Sequence, residues 1–179
     1  MNLPMDLPAL AELNLFAYID SRGAIASNFT EKIGIYAIYD ATETLCYIGY
    51  SRNFKKSLKQ HLVRCPDQCH WLKIQTYERP NRTLLEEIKA AWIEENGSLP
   101  VGNGEAESLW TEPIDIKPHL SPEQNEEFAA AEDIEKGKIL KSQARRLEAE
   151  ITEKLEGRGL KIELRFQPKL KEQGLLDLK

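Results

Sequence analysis

The chain has 179 residues, 41% of them hydrophobic and 30% charged, with a formal charge of −5. That composition is ordinary for a soluble globular protein of one domain with appendages, and the negative balance excludes a generally basic nucleic-acid binder. No apolar run approaches the roughly 18 residues that span a bilayer, and no Lys or Arg precedes Arg22, so a membrane partner and a signal peptide are not expected and the chain reads as cytoplasmic.

In chain order, residues 1–30 form an N-terminal extension. Ile33 to Ala41, IGIYAIYDA, is rich in β-branched and aromatic residues and predicts a strand buried on both faces. Leu45 to Ser51, LCYIGYS, predicts its hairpin partner. An even loop, Asp40–Glu43, would pair Tyr39 with Thr44 and set Tyr36 opposite Tyr47 on one face, whereas an odd loop would send the two phenols to opposite faces. Asn53 is a plausible cap for a helix in which Phe54, Leu58, His61, Leu62 and Cys65 recur at core spacing. Lys55, Lys56, Lys59 and Val63 fall on its other side, and Pro66 ends it.

His70 to Glu78 alternates as a third strand. Thr83 with Glu86 reads as a capping box opening a helix that carries Leu85, Ile88, Trp92 and Ile93 inward and stops at Gly97. The core thus spans 31–104, followed by an acidic loop, 105–120, rich in Gly and Pro. The C-terminal extension, 121–179, opens on Ser121-Pro122-Glu123-Gln124, a helix start. One long helix is expected from there to about Glu156, with Ile134, Leu140, Ala144, Leu147, Ile151 and Leu155 as a single stripe. Gly157 and Gly159 end it, and Leu160 to Phe166 reads as a final strand. The expected fold class is α+β: a small antiparallel sheet flanked by helices, with a long helix plus strand appended.

Between Glu43 and Asp67 the sequence holds no acid, while Arg52, Lys55, Lys56, Lys59 and Arg64 are all basic. That local balance matters more for phosphate binding than the net charge does. The tripeptides Gly34-Ile35-Tyr36 and Tyr47-Ile48-Gly49 flank this stretch, their tyrosines eleven positions apart. The order GIY, YIG, basic amphipathic helix resembles the GIY-YIG nuclease superfamily over about Ile33 to Asn103. Leu99 to Glu105, LPVGNGE, is similar to cyanobacterial members of that family. The core also resembles the N-terminal domain of plant chloroplast monothiol glutaredoxins of the larger type, although no glutaredoxin domain is present here.

The resemblance implies a GIY-YIG-like fold that binds nucleic acid, DNA foremost, and metal-dependent phosphodiester cleavage weakened by two departures. Tyr36 and Tyr47 stand at the tyrosine positions, Tyr47 as base or water-orienting group and Tyr36 as its hydrogen-bonding partner, and Asn103 stands at the late asparagine as a positioning group. The family arginine falls on Ser57, and the family metal glutamate falls on Lys89. Glu86, about one turn earlier, is then the fallback ligand for Mg²⁺ or Mn²⁺, needed if the chain is catalytic and otherwise absent. Arg52, Asn53, Lys55, Lys56, Lys59 and Lys89 are the expected nucleic-acid contacts. The alternative is a non-catalytic scaffold or interaction module, recruiting a protein or a second copy through the C-terminal helix.

Other readings compete. His61, Cys65, Cys69 and His70 stand at steps near four, a zinc-like pattern, but Pro66 breaks the helix that would align them. Cys65 and Cys69 could form a redox pair, or be ordinary buried thiols. Trp71, Trp92 and Trp110 could stack on bases. The helical phase of Trp92 favours the core, and Trp110 reads as a pin for the acidic loop.

Overall fold

The computed structural model describes residues 7–30 and 33–179. The first six residues of the expected extension, and Glu31 and Lys32 at the start of the expected core, lie outside them. The chain divides into two compact units, Met1–Thr111 and Glu112–Lys179. The fold is α+β, built around an antiparallel sheet.

In the first unit the sheet has four strands in the order β1-β4-β2-β3. β1 is Phe16–Ala17, β2 Ile33–Tyr39, β3 Leu45–Ser51 and β4 Trp71–Tyr77. The short β1, which the sequence does not announce, pairs with β4 at Phe16↔Leu72 and Ala17↔Trp71. The N-terminal segment is tied down further by the Trp92 indole, which donates to the Pro8 carbonyl at 2.7 Å, and by Lys73 Nζ, which donates to Leu10 at 2.9 Å.

Of the two hairpin registers, the chain takes the one with the odd loop, and then corrects it. Tyr39 pairs with Leu45, Ile38 with Tyr47 and Tyr36 with Gly49, with a shift between Ile38 and Tyr39. The loop is therefore odd, Asp40–Thr44, which alone would split the phenols. Cys46 is the extra residue of a β-bulge, and it restores the parity. The loop closes because Asp40 Oδ1 accepts from the Thr42 and Thr44 amides at 2.9 and 3.0 Å, with Glu43 left-handed at φ 62°.

Helix α1, Phe54–Arg64, covers one face of the sheet and α2, Arg82–Asn96, the other. Ile35, Ala37 and Ile48 pack with Leu85, Ile88 and Trp92 of α2, while Tyr36 and Tyr47 meet His61 of α1. Asn53 caps α1 as expected, accepting from the Lys56 amide at 3.2 Å. Val63, expected beside the lysines, is buried. The α2 cap is Asn81, not Thr83: its Oδ1 accepts from the Leu84 amide at 2.7 Å. Asparagine is at least as good a cap as threonine, and starting earlier lengthens the helix. A 3-10 turn, Val101–Asn103, then leads to the short helix α3, Glu107–Thr111, inside what reads as loop.

The second unit pairs β5, Ile114–Asp115, with β6, Leu175–Leu176. The expected single long helix is two, α4, Pro122–Ala130, and α5, Asp133–Gly157. Ala131 and Glu132 are extended between them. Asp133 and Glu135 fall in the first turn of α5, where the helix dipole favours acids. Ser121 makes the expected capping box with Gln124. Leu140, Ala144, Ile151 and Leu155 are buried, but Ile134 is 76% exposed and leaves the stripe. Leu160–Phe166 is not a strand; only Phe166 bridges to Leu178, on either side of α6, Pro168–Glu172. Among the described residues no helix is long and apolar enough to cross a membrane.

Candidate functional site

The two motif tyrosines share a face. Tyr47 and Gly49 are two apart on β3, and Gly49 opposes Tyr36, so both rings lie on the α1 side with centroids 6.4 Å apart. On α1, Ser57, His61 and Arg64 recur at i, i+4 and i+7 and turn toward those rings. The Tyr36 hydroxyl and His61 Nε2 are 2.9 Å apart. Burial drives the His61 pKa down to about 3, with the Arg64 charge as a second cause, so the imidazole is neutral. Its Nδ1 is buried without a hydrogen bond of ordinary geometry, although the Trp110 carbonyl favours the protonated ring. With the proton on Nδ1, Nε2 accepts from the Tyr36 hydroxyl.

Trp110 closes this pocket. Its indole stacks on the Tyr47 ring at 5.1 Å and 4°, and also flanks His61 at 5.7 Å. Arg64 Nη1 donates to the Trp110 carbonyl at 2.9 Å, and Cys65 Sγ to the Leu109 carbonyl at 3.6 Å. Gly102 makes room for the indole: a Cβ there would meet Trp110 Nε1 at 2.7 Å and the Cys46 carbonyl at 2.6 Å. Tyr36 is left 2% exposed, Tyr47 8% and Trp110 3%. An offset or parallel aromatic pair adds about 0.5–1.5 kcal/mol beyond burial, so the lid is held.

Burial sets the acidity of both phenols. It raises Tyr36 well above the ordinary tyrosine value, reinforced by Tyr47 and opposed by Ser57 and Arg64. Burial, with repulsion from Glu107, pushes Tyr47 up to about 12 against the pull of Arg64. At pH 7 about one Tyr47 in a hundred thousand is then ionised, a weak reservoir of base.

The remaining expected residues are not brought to this pocket. The Asn103 amide is spent on the backbone of Ile48, accepting from its N–H at 2.8 Å and donating to its carbonyl at 2.7 Å. It thereby pairs the outer edge of β3 and positions the Trp110 segment. Glu86 lies on the α2 side, where its Oε1 accepts from the Tyr50 hydroxyl at 2.5 Å. Hard cations require several oxygen ligands. Among the described residues no three His, Cys, Asp or Glu side chains come together to hold a metal ion. Glu86 stands on the opposite face of the sheet from Tyr36 and Tyr47 and is engaged by the Tyr50 hydroxyl.

Lys55, Lys56 and Lys59 lie on the flank of α1 away from Ser57 and Arg64, with Arg52 just before the helix. Lys89, on α2, is half-buried. None of these five makes an ion pair among the described residues. Asn53 is occupied as the α1 cap. Cys65 and Cys69 are both buried thiols, and Cys69 Sγ donates to the His61 carbonyl at 3.5 Å.

The sequence alone places His61 in the core and Trp110 as a loop pin, and Arg64 is not among the expected site residues. The i, i+4, i+7 relation of Ser57, His61 and Arg64 was the available signal. Nothing local marks Trp110 as the lid.

No family model matches the chain. Over 82 residues it is 34% identical to the bifunctional monothiol glutaredoxin-S16, chloroplastic, of Arabidopsis thaliana, a match covering 44% of this chain and 28% of that protein. The chain thus spans less than a third of the length of this curated relative.

Proposed function

We propose that the chain is a GIY-YIG-like module that binds nucleic-acid phosphates, DNA foremost, through the outer flank of α1, and that its tyrosine pair serves the fold. The observation that carries this reading is the cationic set Lys55, Lys56 and Lys59, none of them ion-paired among the described residues, on a stretch that holds no acid from Thr44 to Pro66. Such a stripe contacts backbone phosphates without reading bases. Metal-dependent cleavage is not part of the proposal, because Glu86 and the phenols stand on opposite faces of the sheet.

The test is fluorescence anisotropy of a labelled duplex across a salt series, comparing the wild type with a Lys55→Gln, Lys56→Gln, Lys59→Gln variant. Removing three phosphate contacts should weaken binding and lower the slope of log K against log salt by roughly 2–3. Unchanged affinity and slope would contradict the proposal. That result would favour the scaffold reading, which the exposed apolar side chains Leu99, Val101 and Leu109 support at 56%, 66% and 64% exposure.

A further inference from the structure

On the α2 side of the sheet, away from the phenol pocket, a cleft of about 340 Å³ lies where the end of β3 meets the start of α2. Its polar wall is Tyr50, Ser51, Arg52 and Arg82, and Ile33 and Leu85 supply an apolar floor. The volume falls within the roughly 300–1,000 Å³ of small-molecule sites, and a few convergent polar groups over an apolar surface are what such sites show.

The two arginines come from elements thirty positions apart in sequence, so their meeting at one cleft is a product of the fold. Glu86 Oε1 accepts a hydrogen bond from the Tyr50 hydroxyl at 2.5 Å, which fixes that ring as a wall. Arg82 acts on the same phenol against Glu86. Two guanidiniums against one carboxylate leave the cleft net cationic. The guanidinium fork matches a phosphate in a bidentate manner.

We propose that this cleft binds a nucleotide by its phosphomonoester, the phosphate received by Arg52 and Arg82 and the base or sugar laid against Tyr50 and the Ile33–Leu85 floor. The shared chemistry has two sources, a free mononucleotide and the 5′-phosphate of a strand end. The assignment extends the phosphate-binding reading but does not depend on the lysine flank of α1.

Isothermal titration of the full chain with dAMP, deoxyadenosine, inorganic phosphate, and a hexanucleotide with or without a 5′-phosphate tests it. Binding of dAMP or of the phosphorylated hexamer, at least tenfold tighter than deoxyadenosine or the unphosphorylated hexamer, is the expected result. Affinity for dAMP alone assigns a free nucleotide, and affinity for the hexamer alone assigns a strand end. Arg82→Gln should cost at least tenfold and Arg82→Lys less, while duplex binding by the α1 flank stays within twofold and circular dichroism reports an intact fold. Inorganic phosphate binding as tightly as dAMP, deoxyadenosine equalling dAMP, or an Arg82→Gln variant that binds like the wild type would each overturn the assignment. Loss of duplex binding in the triple lysine variant, with nucleotide binding intact, separates the two proposals.

Discussion

At Gly49 an added Cβ would stand 2.6 Å from Tyr47 Cε1 and 3.0 Å from the Tyr36 hydroxyl, and at Gly34 one would meet the Gln75 carbonyl at 3.2 Å. The glycines of the two tripeptides therefore make room for the fold's own side chains. Gly49→Ala should destabilise the chain by about 1–3 kcal/mol in urea denaturation, because no neighbour can yield without moving a buried ring. No loss of stability would show that the rings are not packed in this way. His61 carries a pH signature. The unfolded chain protonates it near 6.5, whereas the folded chain holds it neutral down to about 3. The stability gained by burying the neutral ring is complete above about pH 6.5 and is lost as the pH falls toward 3. Between about pH 6 and 4 the wild type should lose stability faster than His61→Gln, by up to about 1.4 kcal/mol per pH unit. Parallel curves would mean that the folded chain solvates or charges this ring.

Among the elements, the hairpin, α1, β4 and α2 are legible because alternation or helical spacing marks each within a few residues. The bulge at Cys46 is not, since an extra residue in a strand leaves no compositional trace. It nevertheless decides whether the phenols meet. β1 owes its existence to a partner more than fifty positions away. The break at Ala131–Glu132 lacks the Gly or Pro that would announce it. The late asparagine illustrates how a residue can be placed by resemblance while its contacts wait for the fold: Asn103 is bonded on both sides to Ile48. Asn103→Ala should leave that edge N–H and carbonyl unpaired, costing about 1–3 kcal/mol. Hydrogen exchange at the Ile48 amide should accelerate while the inner amides of β2 keep their protection. An unchanged Ile48 rate would mean that the Trp110 segment is held by other contacts.

Over the whole chain, a charge of −5 conceals a stretch from Thr44 to Pro66 with five basic residues and no acid. That stretch is visible in the sequence, as is the presence of Ser57 and Lys89 where the resemblance would lead one to expect an arginine and a glutamate. The sequence could not show that α1 turns its lysines away from the phenols, because which flank faces the sheet emerges only once the helix is packed. Nor could it show that Trp110, more than sixty positions from Tyr47 in sequence, seals the pocket. Phosphate binding on the α1 flank, as proposed, therefore needs no chemistry at the phenols. The measurement that tests this most directly is nicking of supercoiled plasmid in Mg²⁺ or Mn²⁺ by the wild type and by Tyr47→Phe. No nicking above background is expected, and no difference between the two proteins. Metal-dependent nicking by the wild type that disappears in Tyr47→Phe would contradict it.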